Sequence, residues 1–187
     1  MRVLFLENQD SFSWNVLDRL PVERSDVVVR PGRDAGRDPA ALSGFDCVVM
    51  GPGPTDPVRA GLVGVVRDAA RRGTAFLGVC LGHQALGIAF GARLVRVRPM
   101  HGKLSTAHFS ASRRFPAFRG SVQVMRYHSL ALADVVPPLR VIAATDDGIP
   151  MAVEHDSLPM AGLQFHPDSY ATPRGAELLA DFFASLT

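Results

Sequence analysis

The most constraining stretch of the chain is Phe76-Leu77-Gly78-Val79-Cys80-Leu81-Gly82-His83-Gln84. An apolar run ending in G-x-C-x-G is the cysteine form of the nucleophile elbow, in which a strand turns sharply into a helix and the apex residue projects its side chain from the bend. Cys80 is that apex. Gly78 and Gly82 leave room where a Cβ would crowd the adjoining strand or helix. A sulfur at a helix N-terminus sits at the positive end of the macrodipole, which favours the anionic, attacking form of a thiol. The competing reading, a buried structural cysteine in a Gly-rich turn, is disfavoured by the base and acid that follow downstream.

The segments around the elbow alternate between strand and helix. Residues 2–6 form a short apolar run typical of a buried parallel strand, and Asp10-Ser11 offers an N-cap for a helix to about Leu20, stopped by Pro21. Residues 27–30 are a second, β-branched strand, followed by a Gly/Asp/Pro-rich connector over 31–39. Residues 45–50 make a third strand that runs into Gly51-Pro52-Gly53-Pro54. A helical pattern over 59–72, closed by Gly73, precedes the strand at 74–77 that feeds the elbow. Such alternation predicts a parallel sheet covered on both faces, with functional loops at the carboxyl ends of its strands. The elbow helix should end near Gly91. Beyond it, strands are expected at 93–98, 104–109, 122–125, 139–144, 151–154 and 160–164, with a tight turn at Asp147-Gly148 that makes part of this half antiparallel. A last helix is expected over 175–186.

Composition narrows the function classes. A length of 187 residues, 47% hydrophobic and 20% charged, fits one soluble domain with a full core. The net charge of +2 gives no case for nucleic acid. No basic leader followed by an apolar region opens the chain, and no apolar run nears the roughly 20 residues that span a bilayer, so a cytoplasmic location away from membranes is expected. The second cysteine, Cys47, lies in an apolar run and reads as a small buried hydrophobe. No Cys/His spacing suggests a metal site, and the glycines form no phosphate loop.

A cysteine nucleophile needs a base, and the best of the six histidines is His166, in Gln164-Phe165-His166-Pro167-Asp168-Ser169. It follows an apolar strand, and an acid two residues on in extended backbone points to the same side, so Asp168 can orient the imidazole. Cys80, His166 and Asp168 thus form a Cys-His-acid triad. His83 reads as a structural hydrogen-bonder beneath the elbow. His108 and His155 read as ordinary strand residues, and His101 and Lys103 as loop or interface residues.

With these motifs in view, the chain resembles the class I, triad-type glutamine amidotransferases along nearly its whole length. Within them it is most similar to the small glutaminase subunit of anthranilate synthase or aminodeoxychorismate synthase. Four stretches carry the likeness: Asn8-Gln9-Asp10-Ser11-Phe12-Ser13-Trp14-Asn15, Gly51-Pro52-Gly53-Pro54, the elbow, and His166-Pro167-Asp168-Ser169. Met100-His101-Gly102-Lys103 and Arg126-Tyr127-His128-Ser129-Leu130 resemble the chorismate-using branch, and the first of these holds the only lysine of the chain.

The resemblance implies an α/β fold: a single domain over 1–187 with a flavodoxin-like, open mixed and mostly parallel sheet and helices on both faces. It implies that Cys80 attacks the side-chain amide of L-glutamine, that the N–H groups of Gly53 and Leu81 form the oxyanion hole, and that His166 protonates the departing ammonia. Water then frees glutamate from a cysteinyl thioester. Gly51, Pro52, Gly53, Gln84, Ser129 and Leu130 would hold the glutamine, Gln84 lying one helical turn beyond Cys80 on the same face. No cofactor or metal is implied for this chain. The implied partner is a large chorismate-binding synthase subunit, expected to need Mg2+, in a heterodimer or heterotetramer that makes anthranilate or 4-amino-4-deoxychorismate.

The family's acid at position 168 is ordinarily glutamate. Aspartate is one methylene shorter, which places its carboxylate about 1.5 Å short unless the loop shifts. The chain uses 14 Asp against 4 Glu, which favours tolerated drift and retained activity. The alternative is a catalytically impaired subunit with a structural or regulatory role in the same complex. A stand-alone hydrolase is the third reading, disfavoured by Gln84 and the 126–130 stretch.

Overall fold

A computed structural model describes residues 1–38 and 40–187 of the chain. Its strands are β1 (Val3–Glu7), β2 (Val27–Pro31), β3 (Cys47–Met50), β4 (Ala75–Val79), β5 (Arg93–Arg96), β6 (Lys103–Phe109), β7 (Gly120–Arg126), β8 (Leu130–Ala133), β9 (Leu139–Ala144), β10 (Pro150–His155) and β11 (Met160–Leu163). The helices are α1 (Ser13–Asp18), α2 (Gly32–Ala35), α3 (Leu62–Arg72), α4 (Leu81–Ala89) and α5 (Gly175–Ala184).

The main sheet runs β2-β1-β3-β4-β11-β10-β9-β6-β7. The first five strands are parallel and the rest antiparallel, while β5 and β8 form a separate antiparallel pair. The expected open mixed sheet is therefore present, with its parallel part in the flavodoxin-like order. Each parallel strand is apolar on both faces, and alternation divides its residues between two cores. Val3 and Phe5 point to the layer holding Val16 and Leu17 of α1 and Leu178 and Phe182 of α5. Leu4 and Leu6 point to the layer holding Leu62 and Val66 of α3 and Leu86 of α4.

Gly73 closes α3 as its position predicts: it takes φ +67, and Thr74 N–H and Gly73 N–H donate to the carbonyls of Ala69 and Ala70. Three expectations need correction. The helix after Asp10 is only the six residues of α1, because Asp10 spends its carboxylate and carbonyl on the N–H groups of Phe12 and Ser13 and so holds a turn. The connector at 31–39 opens with the end of β2 and contains α2; Pro39 lies outside the described residues. Strand β8 was not expected. No helix among the described residues is long and apolar enough to cross a membrane.

Candidate active site

Strands β3, β4 and β11 are adjacent and parallel, so the loops at their carboxyl ends meet at one edge. Cys80 stands between β4 and α4 with φ 51 and ψ −96, a backbone conformation that costs a side-chain-bearing residue roughly 1–3 kcal/mol. The neighbours enforce it. A Cβ on Gly78 would lie 2.3 Å from the Gly82 carbonyl carbon, and one on Gly82 would lie 2.3 Å from the Met50 carbonyl oxygen. Cys80 N–H donates to the Leu163 carbonyl at 2.7 Å, which ties the apex to β11.

His166 follows β11 and is buried. Its N–H donates to the Met125 carbonyl at 3.0 Å. The Thr172 hydroxyl donates to the His166 carbonyl at 2.8 Å and accepts from Met125 N–H at 3.0 Å, which clamps the loop to β7. The Tyr127 and Phe12 rings meet the imidazole edge-on, with centroids at 5.0 and 5.4 Å. One imidazole nitrogen, Nδ1, lies 3.2 Å from Asp168 Oδ1, and both groups are buried. The direction is poor, however: neither Nδ1 nor either carboxylate oxygen makes an aligned hydrogen bond among the described residues. Asp168 therefore acts on the ring through a short but poorly aligned contact. Burial alone would lower the His166 pKa, but the Asp168 carboxylate and the Cys80 sulfur together outweigh it and raise the value to about 10.

The cavity over this centre has a volume of about 310 Å³ and is lined by Cys80, His166, Gly53, Gln84, Ser129 and Leu130, joined by Asp10, Phe12, Tyr127 and His128. A larger cavity of about 510 Å³ lies beside it, over the ends of β1 and β2, and contains neither Cys80 nor His166. Gly53 packs directly on the elbow, since a Cβ there would lie 2.5 Å from the Leu81 side chain and 2.8 Å from Asn8 Cβ. The two residues expected to supply the oxyanion hole are thus neighbours. Gly51 and Pro52 are not among the cavity's lining residues. Both are buried; Gly51 accepts from the Asn8 side-chain amide at 3.0 Å and donates to the Leu6 carbonyl, and Pro54 and Thr55 line the cavity.

His83 is fully buried beneath the elbow in the neutral form, its ring set against the Gly162 backbone without a well-directed hydrogen bond among the described residues. Burial pushes its pKa down to about 3, only partly offset by the Gly162 backbone. Cys47 is buried in the first core layer, and desolvation pushes its thiol up, as befits an inert hydrophobe. His155 is more than a strand residue: its Nδ1 accepts from the N–H groups of Ser157 and Leu158. His101 lines the cavity, whereas Lys103 begins β6 opposite Arg126. Asn8, Phe12, Tyr127 and Thr172 hold the site together without having been assigned roles from the sequence. The first three lie inside the motif stretches, and Thr172 carries no motif signal.

A family model described as glutamine amidotransferase class-I matches residues 4–186. The chain is 40% identical over 186 residues to an aminodeoxychorismate synthase of Streptomyces griseus, covering 97% of this chain and 26% of that protein. It therefore spans about a quarter of that relative. It is 41% identical over 190 residues to anthranilate synthase component 2 of Mycobacterium tuberculosis H37Rv, covering 97% and 81% of the two chains. The solved structure of a glutamine amidotransferase from Thermotoga maritima superposes with a TM-score of 0.74 at 14% identity, covering 100% of this chain and 96% of that one, a likeness of fold.

Proposed function

The chain belongs to the class I glutamine amidotransferase family, and from that membership we propose that it deamidates L-glutamine and supplies ammonia to a chorismate-using synthase. The observation that carries this reading is a cysteine held at a strained elbow apex in one cavity with an imidazole that is itself backed by a buried carboxylate.

In the reaction, the proton of Cys80 already rests on the His166 imidazole, and the anionic sulfur attacks the glutamine side-chain carbonyl. The resulting oxyanion faces the backbone N–H groups of Gly53 and Leu81. When the C–N bond breaks, the proton held by His166 goes to the leaving nitrogen and ammonia departs, leaving a thioester. Water then gives a proton to His166 and its hydroxyl to the thioester carbon. The sulfur leaves as the anion beside the protonated His166, which restores the resting pair, and glutamate is released.

Ammonia released into bulk water at neutral pH would be protonated and lost as a nucleophile. A partner is therefore part of the proposal: a large chorismate-binding synthase seated over the active-site edge, making anthranilate or 4-amino-4-deoxychorismate. The names of the similar proteins support this pairing. The reading gives Mg2+ to that partner and no cofactor to this chain, and places the complex in the cytoplasm.

The test uses the assembled complex. Stoichiometric labelling of Cys80 by a glutamine-like diazoketone is expected. Cys80→Ser should lower glutamine-dependent synthesis by about a thousandfold or more while ammonium-dependent synthesis stays within about twofold. Unlabelled wild-type Cys80, or glutamine-dependent synthesis that survives in Cys80→Ser, overturns the reading.

A further inference from the structure

We infer that Gln164 is a further residue of the nucleophile site, donating a hydrogen bond from its side-chain amide to the Cys80 sulfur in a direction dictated by the Leu130 carbonyl through Gln84. The inference rests on Cys80 being the nucleophile. Gln164 has no exposed surface, and its Nε2 lies 3.8 Å from Cys80 Sγ.

An amide can present either its oxygen or its nitrogen, so the identity of the group facing the sulfur must be settled by its other contacts. The Leu130 carbonyl can only accept. The Gln84 atom 3.1 Å from it is therefore the NH2 group, Nε2. That NH2 can only donate, so the Gln164 atom 3.4 Å away is Oε1, and the remaining Gln164 amide group, which faces Cys80, is the donor.

The Leu130 carbonyl is itself fixed. His128 Nδ1 lies 2.9 Å from it and must carry the proton, which leaves Nε2 as the acceptor for Arg126 Nε at 3.0 Å. Burial and the neighbouring guanidinium push the His128 pKa down to about 4, so this neutral tautomer persists at physiological pH. Arg126 is buried and donates its other end to Ser105 Oγ at 3.1 Å. The Arg126–His128 arm thus holds the Leu130 carbonyl in place, and each link from that carbonyl through Gln84 and Gln164 to Cys80 has one permitted polarity.

A fixed donor strengthens its contact as negative charge grows on the acceptor, so Gln164 favours the anionic sulfur over the neutral thiol. The same rigid amide restricts the sulfur to one side of the cavity. Gln164 was part of a motif stretch in the sequence, but its side chain points back toward the elbow strand, where a spacing argument has no reach.

The experiment follows alkylation of Cys80 by iodoacetamide against pH in Gln164→Met, which preserves volume, and in Gln164→Glu, which keeps an acceptor for Gln84 but replaces the donor with a carboxylate. The other titratable groups lining the cavity, His166, His101, His128, Tyr127 and Asp10, are the same in all three proteins. The alkylation profile should move to higher pH by about one unit in Gln164→Met and further in Gln164→Glu. kcat for glutamine in the complex should fall about tenfold in Gln164→Met, more than KM changes. Coincident profiles for wild type and Gln164→Met overturn the inference. Should neither variant fold, the wild-type protein decides: the Gln164 side-chain amide resonances should shift when Cys80 is alkylated, and unmoved resonances overturn it. Labelling of wild-type Cys80 by the glutamine-like diazoketone keeps the two failures apart, because it tests the nucleophile without reference to Gln164.

Discussion

The Asp168 carboxylate shows what one methylene does. A rigid loop would leave it about 1.5 Å short of its imidazole, yet the observed separation is 3.2 Å, a few tenths of an ångström beyond a good charge-assisted contact. The carboxylate reaches the ring, and what is lost is direction rather than reach. A misdirected acid still favours the imidazolium electrostatically but fixes the ring tautomer poorly. The rings of Tyr127 and Phe12 take over part of the steric positioning. Asp168→Asn should therefore lower kcat/KM by about ten- to hundredfold, well below the roughly 10⁴-fold seen when a serine triad loses its aligned acid. Asp168→Glu should leave activity equal or higher. Steady-state glutaminase kinetics on the complex check both, and a loss of activity in Asp168→Glu would mean that the loop has been refitted around the shorter acid.

At the level of elements, the site depends on how α5 meets the loop carrying His166. A Cβ on Gly175, the first residue of α5, would lie 1.8 Å from the Pro167 carbonyl oxygen, so the helix begins in direct contact with the catalytic turn. Thr172 bridges that turn to β7 through its hydroxyl alone. Thr172→Val keeps the shape and removes both bonds, leaving Met125 N–H buried without its acceptor. It should cost about 1–3 kcal/mol in urea unfolding and lower kcat more than KM as His166 loosens. An unchanged kcat would mean that packing alone sets the loop. The parallel strands and the elbow were legible from the sequence because their signals are local: apolar runs, and glycines at fixed offsets from Cys80. Strand β8 was not, since Leu130–Ala133 is four residues long, lacks alternation and is defined by pairing with β5 more than thirty positions earlier. Thr172 was illegible for the same reason, its partner at Met125 being 47 residues away. That Pro54 and Thr55 line the cavity was hidden because a Gly-Pro repeat does not say which of its residues faces it.

Across the whole molecule, two apolar layers insulate a polar seam at the carboxyl edge of the sheet, and the histidines buried in or beneath that seam make stability respond to pH in opposite senses. His83 and His128 have native pKa values of about 3 and about 4, below the ordinary 6.5, chiefly because burial disfavours their charged forms. Above pH 6.5 they are neutral in both folded and unfolded chains and cost nothing. As pH falls below 6.5 the unfolded chain binds protons that the native state refuses, and each group removes up to about 1.4 kcal/mol per pH unit until its native pKa is reached. His166 works the other way. Its native pKa of about 10 lies above the ordinary value, so its contribution is complete below pH 6.5 and is lost as pH rises from there through 10. Both slopes descend from the same point, so the urea midpoint of the isolated chain should be highest near pH 6.5. His83→Leu should flatten the acid side by up to one proton's slope, and His166→Gln should flatten the alkaline side. A wild-type midpoint that keeps rising from pH 6.5 to 9 would show that the buried imidazole is not held protonated, and with it that Asp168, though within 3.2 Å, does not outweigh the desolvation around it.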